Sequence, residues 1–320
     1  LKILLDSNDF NVVAVNDLVD AENLAYLLRY DTVYGRYHKT VEATDGKLTI
    51  DGKEYKVLNE KDPAKLPWKD MGIDLVFECS GVFTKREDLE KHLHAGAKRV
   101  ILSAPAKTED IRTVVLGVNS DGNKEEQIIS CASCTTNCIT PVVEIINRRI
   151  GIKKANMTTV HAYTSSQALV DGPNKKKRRG RAAAANFVPT STGAAKATAK
   201  ALPEMEGKFD GAAIRGPVPV GSIADINMVT ERETSVEEIN NILREEAQGE
   251  RYKGILGASD DELVSSDIIQ DSRASIVDLN MTQVVGGDLV KIMSWYDNEW
   301  GYASQMVREA QHVSSKAMAS

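Results

Sequence analysis

Three cysteines crowd into eight positions, Cys131, Cys134 and Cys138, inside the run Ala132-Ser133-Cys134-Thr135-Thr136-Asn137-Cys138. Cys134 falls where an extended segment turns into a helix. The free N–H groups and positive end of a helix lower the pKa of a thiol placed there. Thiolate is the attacking form of sulfur, so the run predicts a nucleophile at Cys134, with Ser133, Thr135 and Thr136 supplying hydroxyls and caps. Two other readings compete. One is a small buried thiol on a capped helix. The other is a metal or iron–sulfur site from the Cys-x2-Cys-x3-Cys spacing, which lacks a fourth ligand nearby, so no metal is expected.

A nucleophilic cysteine needs an imidazole to hold the thiolate and move protons. Thr159-Val160-His161-Ala162-Tyr163-Thr164 offers one at the end of a strand, 27 positions after Cys134. Alone, His161 reads as an ordinary packed histidine. The run Lys175-Lys176-Lys177-Arg178-Arg179-Gly180-Arg181 is strongly basic. It mimics a nucleic-acid patch, but the chain carries a net charge of −6, which argues for a solvated loop and against nucleic acid as a partner.

The elements that carry these residues differ between the two halves. Short β-branched or apolar runs, Asn11–Val15, Asp74–Cys79 and Val100–Ser103, alternate with helical patterns over Ala21–Tyr30 and Lys85–Ala95. This is the βαβ rhythm of a doubly wound parallel sheet. Leu1–Leu5 reads as the tail of a helix, and Lys47–Val57 as a hairpin turning at Asp51-Gly52. The second half places a helix over Thr136–Arg149, then strands over Met157–Tyr163, Gly211–Pro217, Ile223–Glu231, Ser275–Asp278 and Val290–Tyr296. Helices fit Thr192–Leu202, Val236–Gln248 and the last twenty residues. The expected fold is therefore α/β, a Rossmann-type parallel sheet domain followed by an α+β domain with a mostly antiparallel sheet. The expected division is 1–133 for the first domain, with a C-terminal helix 299–320 packing back on it, and 134–298 for the second.

The chain has 320 residues, 42% of them hydrophobic and 27% charged, the profile of two globular domains. No apolar run reaches the ~20 residues of a membrane span, and no signal-peptide pattern opens the chain. Four cysteines without a secretion signal point to a reducing cytosol, so the cytoplasm is the expected location.

Ser-Cys-Thr-Thr-Asn, followed by His161 and Thr164, resembles the phosphorylating glyceraldehyde-3-phosphate dehydrogenase family, in the bacterial-type form. So do Pro189-Thr190-Ser191-Thr192-Gly193-Ala194-Ala195-Lys196, Arg215-Gly216-Pro217-Val218-Pro219, and the run from Trp295 to Tyr302. The resemblance is collinear from about Val12 to the C-terminus. It implies that Cys134 attacks an aldehyde, that His161 takes the hydroxyl proton, and that inorganic phosphate cleaves the resulting thioester to an acyl phosphate. Arg179 and Arg215 match the family's phosphate-binding arginines. Ser133, Thr135, Thr164, Thr192 and Gly193 match its hydroxyl and backbone donors for the phosphorylated aldehyde and phosphate. Asp17 matches the carboxylate that bonds the adenosine ribose of NAD, Ser80 and Ser103 the cofactor loops, and Asn298 the residue that holds the nicotinamide amide. Gly172 stands where NAD enzymes carry Leu, which leaves use of NADP open. The basic loop implies a homotetramer, because the family's loop lines a neighbouring subunit.

Several positions depart from the family. Residues 1–50 hold no Gly-x-Gly-x-x-Gly fingerprint, and the chain starts at Leu1 rather than Met. The resemblance therefore implies a natural protein longer by a strand and a glycine loop, on the order of fifteen residues, and a chain that binds NAD poorly without them. Cys131 replaces Asn, Ser165-Ser166 replaces Asn-Asp, and Val220 replaces Asn. Rival readings are an erythrose-4-phosphate dehydrogenase, which would release its acid with water, a catalytically silent binding protein, and an RNA-binding protein using the basic loop.

Overall fold

The computed structural model describes residues 1–121 and 126–317. The chain divides into two compact units, one built from residues 1–112 and 126–130, the other from residues 113–121 and 131–316.

The first unit holds α1 (Lys2–Asp6), β1 (Ala14–Asn16), α2 (Ala21–Arg29), β2 (Val41–Thr44), β3 (Lys47–Ile50), β4 (Lys53–Leu58), β5 (Leu75–Glu78), α3 (Arg86–His94), β6 (Arg99–Leu102) and β7 (Ile128–Ser130). Its strands form two ladders. In one, β1 pairs parallel with β4, which continues antiparallel to β3 and β2. In the other, β5, β6 and β7 run parallel. The β3–β4 hairpin turns at Asp51-Gly52, with φ of 47° and 79°, the positive pair that an Asp-Gly type I′ turn requires. α3 covers β6 and β7, its Leu89 packing with Val100, Leu102 and Ile128. Asp20 caps α2 by accepting from Asn23 N, which explains where that helix begins.

The second unit is a seven-stranded sheet with helices against it. Its elements are α4 (Cys134–Arg149), β8 (Ile152–Ala162), β9 (Val188–Ser191), α5 (Ala194–Ala201), β10 (Phe209–Gly216), β11 (Ser222–Thr230), α6 (Val236–Gln248), β12 (Leu256–Ser259), β13 (Ser275–Val285), β14 (Leu289–Tyr296) and α7 (Trp300–Ala317). The last three positions of the expected C-terminal helix, 318–320, lie outside the described residues. The strand order is β9-β10-β8-β11-β14-β13-β12. The sheet is antiparallel except where β8 runs beside β10 and β12 beside β13, so it is mixed at two junctions. Alternation in β11 buries Ser222, Ala224, Ile226, Met228 and Thr230 on one face. Of these, Ala224, Ile226 and Met228 share a cluster with α4, whose Ile139, Val142, Val143 and Ile146 are fully buried in it. This packing holds the N-terminus of α4 beside the C-terminal ends of β8 and β10.

Candidate active site

Ser133 caps α4, its Oγ accepting the backbone N–H of Thr136 at 3.2 Å, so Cys134 is the first helical residue. The residue before the cap, Ala132, is buried and has φ of 56°, a left-handed conformation that costs an L-residue about 1–2 kcal/mol. Two bonds help hold that turn. Tyr302 Oη donates to the Ala132 carbonyl at 3.1 Å, and Asn137 Nδ2 donates to the Cys131 carbonyl at 2.8 Å. The turn aims the Cys134 thiol at the end of β8, where Sγ lies 3.4 Å from His161 Nε2.

Nδ1 of His161 lies 2.7 Å from the Ala162 carbonyl, and with its proton directed to that acceptor Nε2 presents its lone pair to the thiol. Arg215 Nη1 donates to the same carbonyl at 3.0 Å, and stands 3.0 Å from Nδ1. Burial, then the charges of Arg215 and Arg179, lower the His161 pKa to about 4. The imidazole is therefore neutral at pH 7.

The helix-terminus expectation of a lowered thiol pKa is outweighed. Burial raises the Cys134 pKa, and the opposing pulls of the Thr135 N–H and Arg215 do not overcome it. The resting pair is thiol and neutral imidazole, poised for proton transfer as the sulfur attacks.

Arg215 and Arg179 form the cationic wall of the site. Arg179 donates from Nη1 to Ser166 Oγ at 3.1 Å and from Nε to Thr190 Oγ1 at 3.1 Å. Ser166 Oγ lies 2.9 Å from Thr164 Oγ1, which Arg215 Nη1 reaches at 3.4 Å. Among the described residues neither arginine has a carboxylate partner, and burial lowers the pKa of both. Among the described residues no group hydrogen-bonds the buried Arg215 Nε. Two guanidinium groups surrounded by neutral hydroxyls suit phosphate oxygens, which accept several charge-assisted bonds at once.

Of the residues singled out by sequence, the second unit thus joins Cys134, His161, Arg215, Thr164 and Arg179 through hydrogen bonds. Thr192 and Gly193 open α5, where Thr192 Oγ1 accepts from Ala194 N at 3.2 Å. Among the described residues no hydrogen bond links them to either arginine. Thr135 is buried, and its side chain pulls the Cys134 pKa down against the larger effect of burial. Its Oγ1 lies 2.8 Å from Tyr296 Oη, which lies 2.8 Å from Thr159 Oγ1. Tyr296 also meets the His161 ring edge-on, with centroids 5.9 Å apart. Sequence reading missed Tyr296 and Thr159 as site residues, although Tyr296 lies within the Trp295–Tyr302 run. Asn298 is buried, with Oδ1 accepting from Ser222 Oγ at 3.0 Å, and Ser222 Oγ accepts the N–H of Ala162 at 3.0 Å.

In the first unit, Asp17 follows β1, and its exposed carboxylate accepts the N–H of Val19 at 3.2 Å. Ser80 follows β5, donating its N–H to Glu78 Oε1 at 2.8 Å, and Ser103 follows β6, donating its N–H to the Glu78 carbonyl at 2.9 Å. All three lie beyond the carboxyl ends of parallel strands, where open α/β sheets bind ligands. An exposed carboxylate and two serine-bearing loops fit a dinucleotide. Among the described residues no group of three or more His, Cys, Asp or Glu is placed to hold a metal, so the three-cysteine run is not joined by such a cluster.

Residues 133–298 match the family model described as glyceraldehyde 3-phosphate dehydrogenase, C-terminal domain, and residues 1–86 match the NAD binding domain of the same enzyme. The chain is similar to the glyceraldehyde-3-phosphate dehydrogenase of Thermotoga maritima, 54% identical over 300 residues that cover 93% of this chain and 90% of the relative. It is 49% identical to that of Geobacillus stearothermophilus over 316 residues, covering 98% and 94% of the two chains. It is 48% identical to that of Streptomyces coelicolor over 307 residues, covering 95% and 91%.

Proposed function

The chain belongs to the glyceraldehyde-3-phosphate dehydrogenase family, and from that premise we infer how its own residues carry the reaction. It is an NAD-dependent oxidoreductase of glycolysis that converts glyceraldehyde 3-phosphate and inorganic phosphate to 1,3-bisphosphoglycerate. The observation that carries the assignment of roles is the Cys134 Sγ to His161 Nε2 approach of 3.4 Å beside two arginines without carboxylates.

Cys134 sulfur bonds the aldehyde carbon, and its proton passes through His161 Nε2 to give a thiohemiacetal. His161 then takes the hydroxyl proton while the carbon loses hydride, leaving a thioester on Cys134. When bound, NAD would supply the hydride acceptor; Asp17, Ser80 and Ser103 of the first unit would hold it there, and Asn298 of the second unit matches the family's nicotinamide-amide residue. An oxygen of inorganic phosphate adds to the thioester carbon. The C–S bond breaks, the acyl phosphate leaves, and Cys134 recovers its proton from His161. Arg179 and Arg215, with Thr164 and Ser133, hold the substrate phosphate and the attacking phosphate. Thr135 keeps the helix start in register through Tyr296, and Thr192 and Gly193 add donors at the α5 terminus.

We also propose a cytoplasmic homotetramer. Leu169, Val170 and Phe187 are 81%, 72% and 72% exposed, on and beside the basic loop, and a second copy of the chain would cover them. No described helix is long and apolar enough to cross a membrane.

The test follows reduced-nicotinamide formation with glyceraldehyde 3-phosphate, NAD and phosphate, using Cys134→Ser as the blank. Turnover that stops when phosphate is withheld supports the acyl-phosphate route. Sustained turnover without phosphate would assign release to water instead.

A further inference from the structure

We propose that Trp68, His92 and Glu78 form a buried relay that positions the Ser80–Gly81 loop, so that His92 sets NAD affinity without touching NAD. The inference rests on the reading of Ser80 as a cofactor contact.

The relay is closed to water. Trp68, His92 and Glu78 are 5%, 3% and 6% exposed. Trp68 Nε1 donates to His92 Nδ1 at 3.1 Å. An indole N–H can only donate, so Nδ1 is the acceptor and the imidazole proton sits on Nε2. Nε2 then donates to Glu78 Oε2 at 3.0 Å. His92 is thereby a neutral donor, because a second proton on Nδ1 would face the indole N–H. Burial on its own raises the Glu78 pKa, but the bonds from His92 and Ser80 overcome it and hold the carboxyl below its ordinary value.

The carboxylate's other oxygen reaches the loop. Glu78 Oε1 accepts the Ser80 N–H at 2.8 Å, and Ser80 Oγ accepts the Val82 N–H at 3.1 Å. Gly81 between them has φ of 71°, a turn that requires fixed flanking bonds to persist. The carbonyl of the same Glu78 accepts the Ser103 N–H. One residue at the end of β5 thus holds both serine loops at the carboxyl ends of the parallel strands. Its side chain is aimed by His92, and His92 is aimed by Trp68. Two oxygens serve two donors, so a carboxylate is required. A glutamine offers one oxygen for both donors and turns an N–H toward the other.

The experiment measures NAD binding by calorimetry and Ser80 amide exchange by NMR on the full chain, together with kcat at saturating NAD. His92→Leu and Glu78→Gln should each weaken NAD binding roughly tenfold, the effect of one lost buried hydrogen bond. Both should speed Ser80 amide exchange and leave kcat unchanged. His92→Gln, whose amide can accept from Trp68 and donate to Glu78, should recover most of the affinity. If His92→Leu does not fold, Glu78→Gln decides. Wild-type NAD affinity in folded Glu78→Gln overturns the relay, as does a kcat loss that His92→Gln fails to rescue. Gly81→Ala separates the premises, since it strains the loop directly. If it weakens NAD binding while Glu78→Gln does not, the loop reading stands and the relay falls. If it leaves NAD binding unchanged, the loop reading falls and the inference falls with it.

Discussion

His161 and Arg215 are register partners on the parallel strands β8 and β10, and Arg215 Nη1 stands 3.0 Å from His161 Nδ1. A permanent cation beside the imidazole adds to burial in keeping it neutral. Arg215→Gln should therefore raise the His161 titration midpoint from about 4 toward the ordinary histidine range. NMR of the imidazole against pH measures this. An unchanged midpoint would leave burial as the whole cause.

The same depression makes acid destabilising. The unfolded chain protonates His161 near pH 6.5, while the folded chain resists protonation until about pH 4. Stability is intact above pH 6.5, declines below it, and the loss is complete as pH falls through the folded value. The full loss is about 3 kcal/mol. Urea unfolding of the wild type and His161→Asn at pH 7 and pH 4 should show a smaller acid loss in the variant.

Tyr296 Oη bridges Thr135 at the start of α4 to Thr159 on β8. Tyr296→Phe keeps the packing and removes both bonds, at about 1–3 kcal/mol. Chemical unfolding should report that loss. Alkylation of Cys134 should also slow, because the helix start is no longer tied to the histidine strand. An alkylation rate equal to wild type would confine Tyr296 to stability.

Inorganic phosphate should raise the unfolding temperature, since it binds the folded site alone. At one hundred times its Kd the gain is about 2.7 kcal/mol. Arg179→Ala and Arg215→Ala should each remove most of this gain, and raising the salt concentration should reduce it. A full phosphate effect in both variants would move the anion site elsewhere.

Much of this architecture was legible in the sequence because local chemistry decides it. Asp51-Gly52 dictates its hairpin, while the helix expected over Thr136–Arg149 begins two residues earlier, at Cys134, because Ser133 caps it there. Cys134 and His161 were legible as a pair because both sit at element ends. What the sequence hid depends on partners far apart in the chain. Tyr296 reaches Thr135 across 161 positions. Glu78 and His92 meet because a strand and a helix pack together, and nothing in either segment announces it. The thiol pKa ran against local reasoning because burial, a tertiary quantity, exceeded the helix-end effect.

The left-handed turn at Ala132 bears on how the protein fails. Tyr302 and Asn137 help hold its conformation by gripping the carbonyls of Ala132 and Cys131. Once that grip slackens the turn springs back to an extended form and the sulfur loses its aim, although α4 and the sheet are still whole. Loss of turnover on warming should thus run ahead of loss of circular dichroism, making catalytic rate the earliest gauge of a sample's ageing.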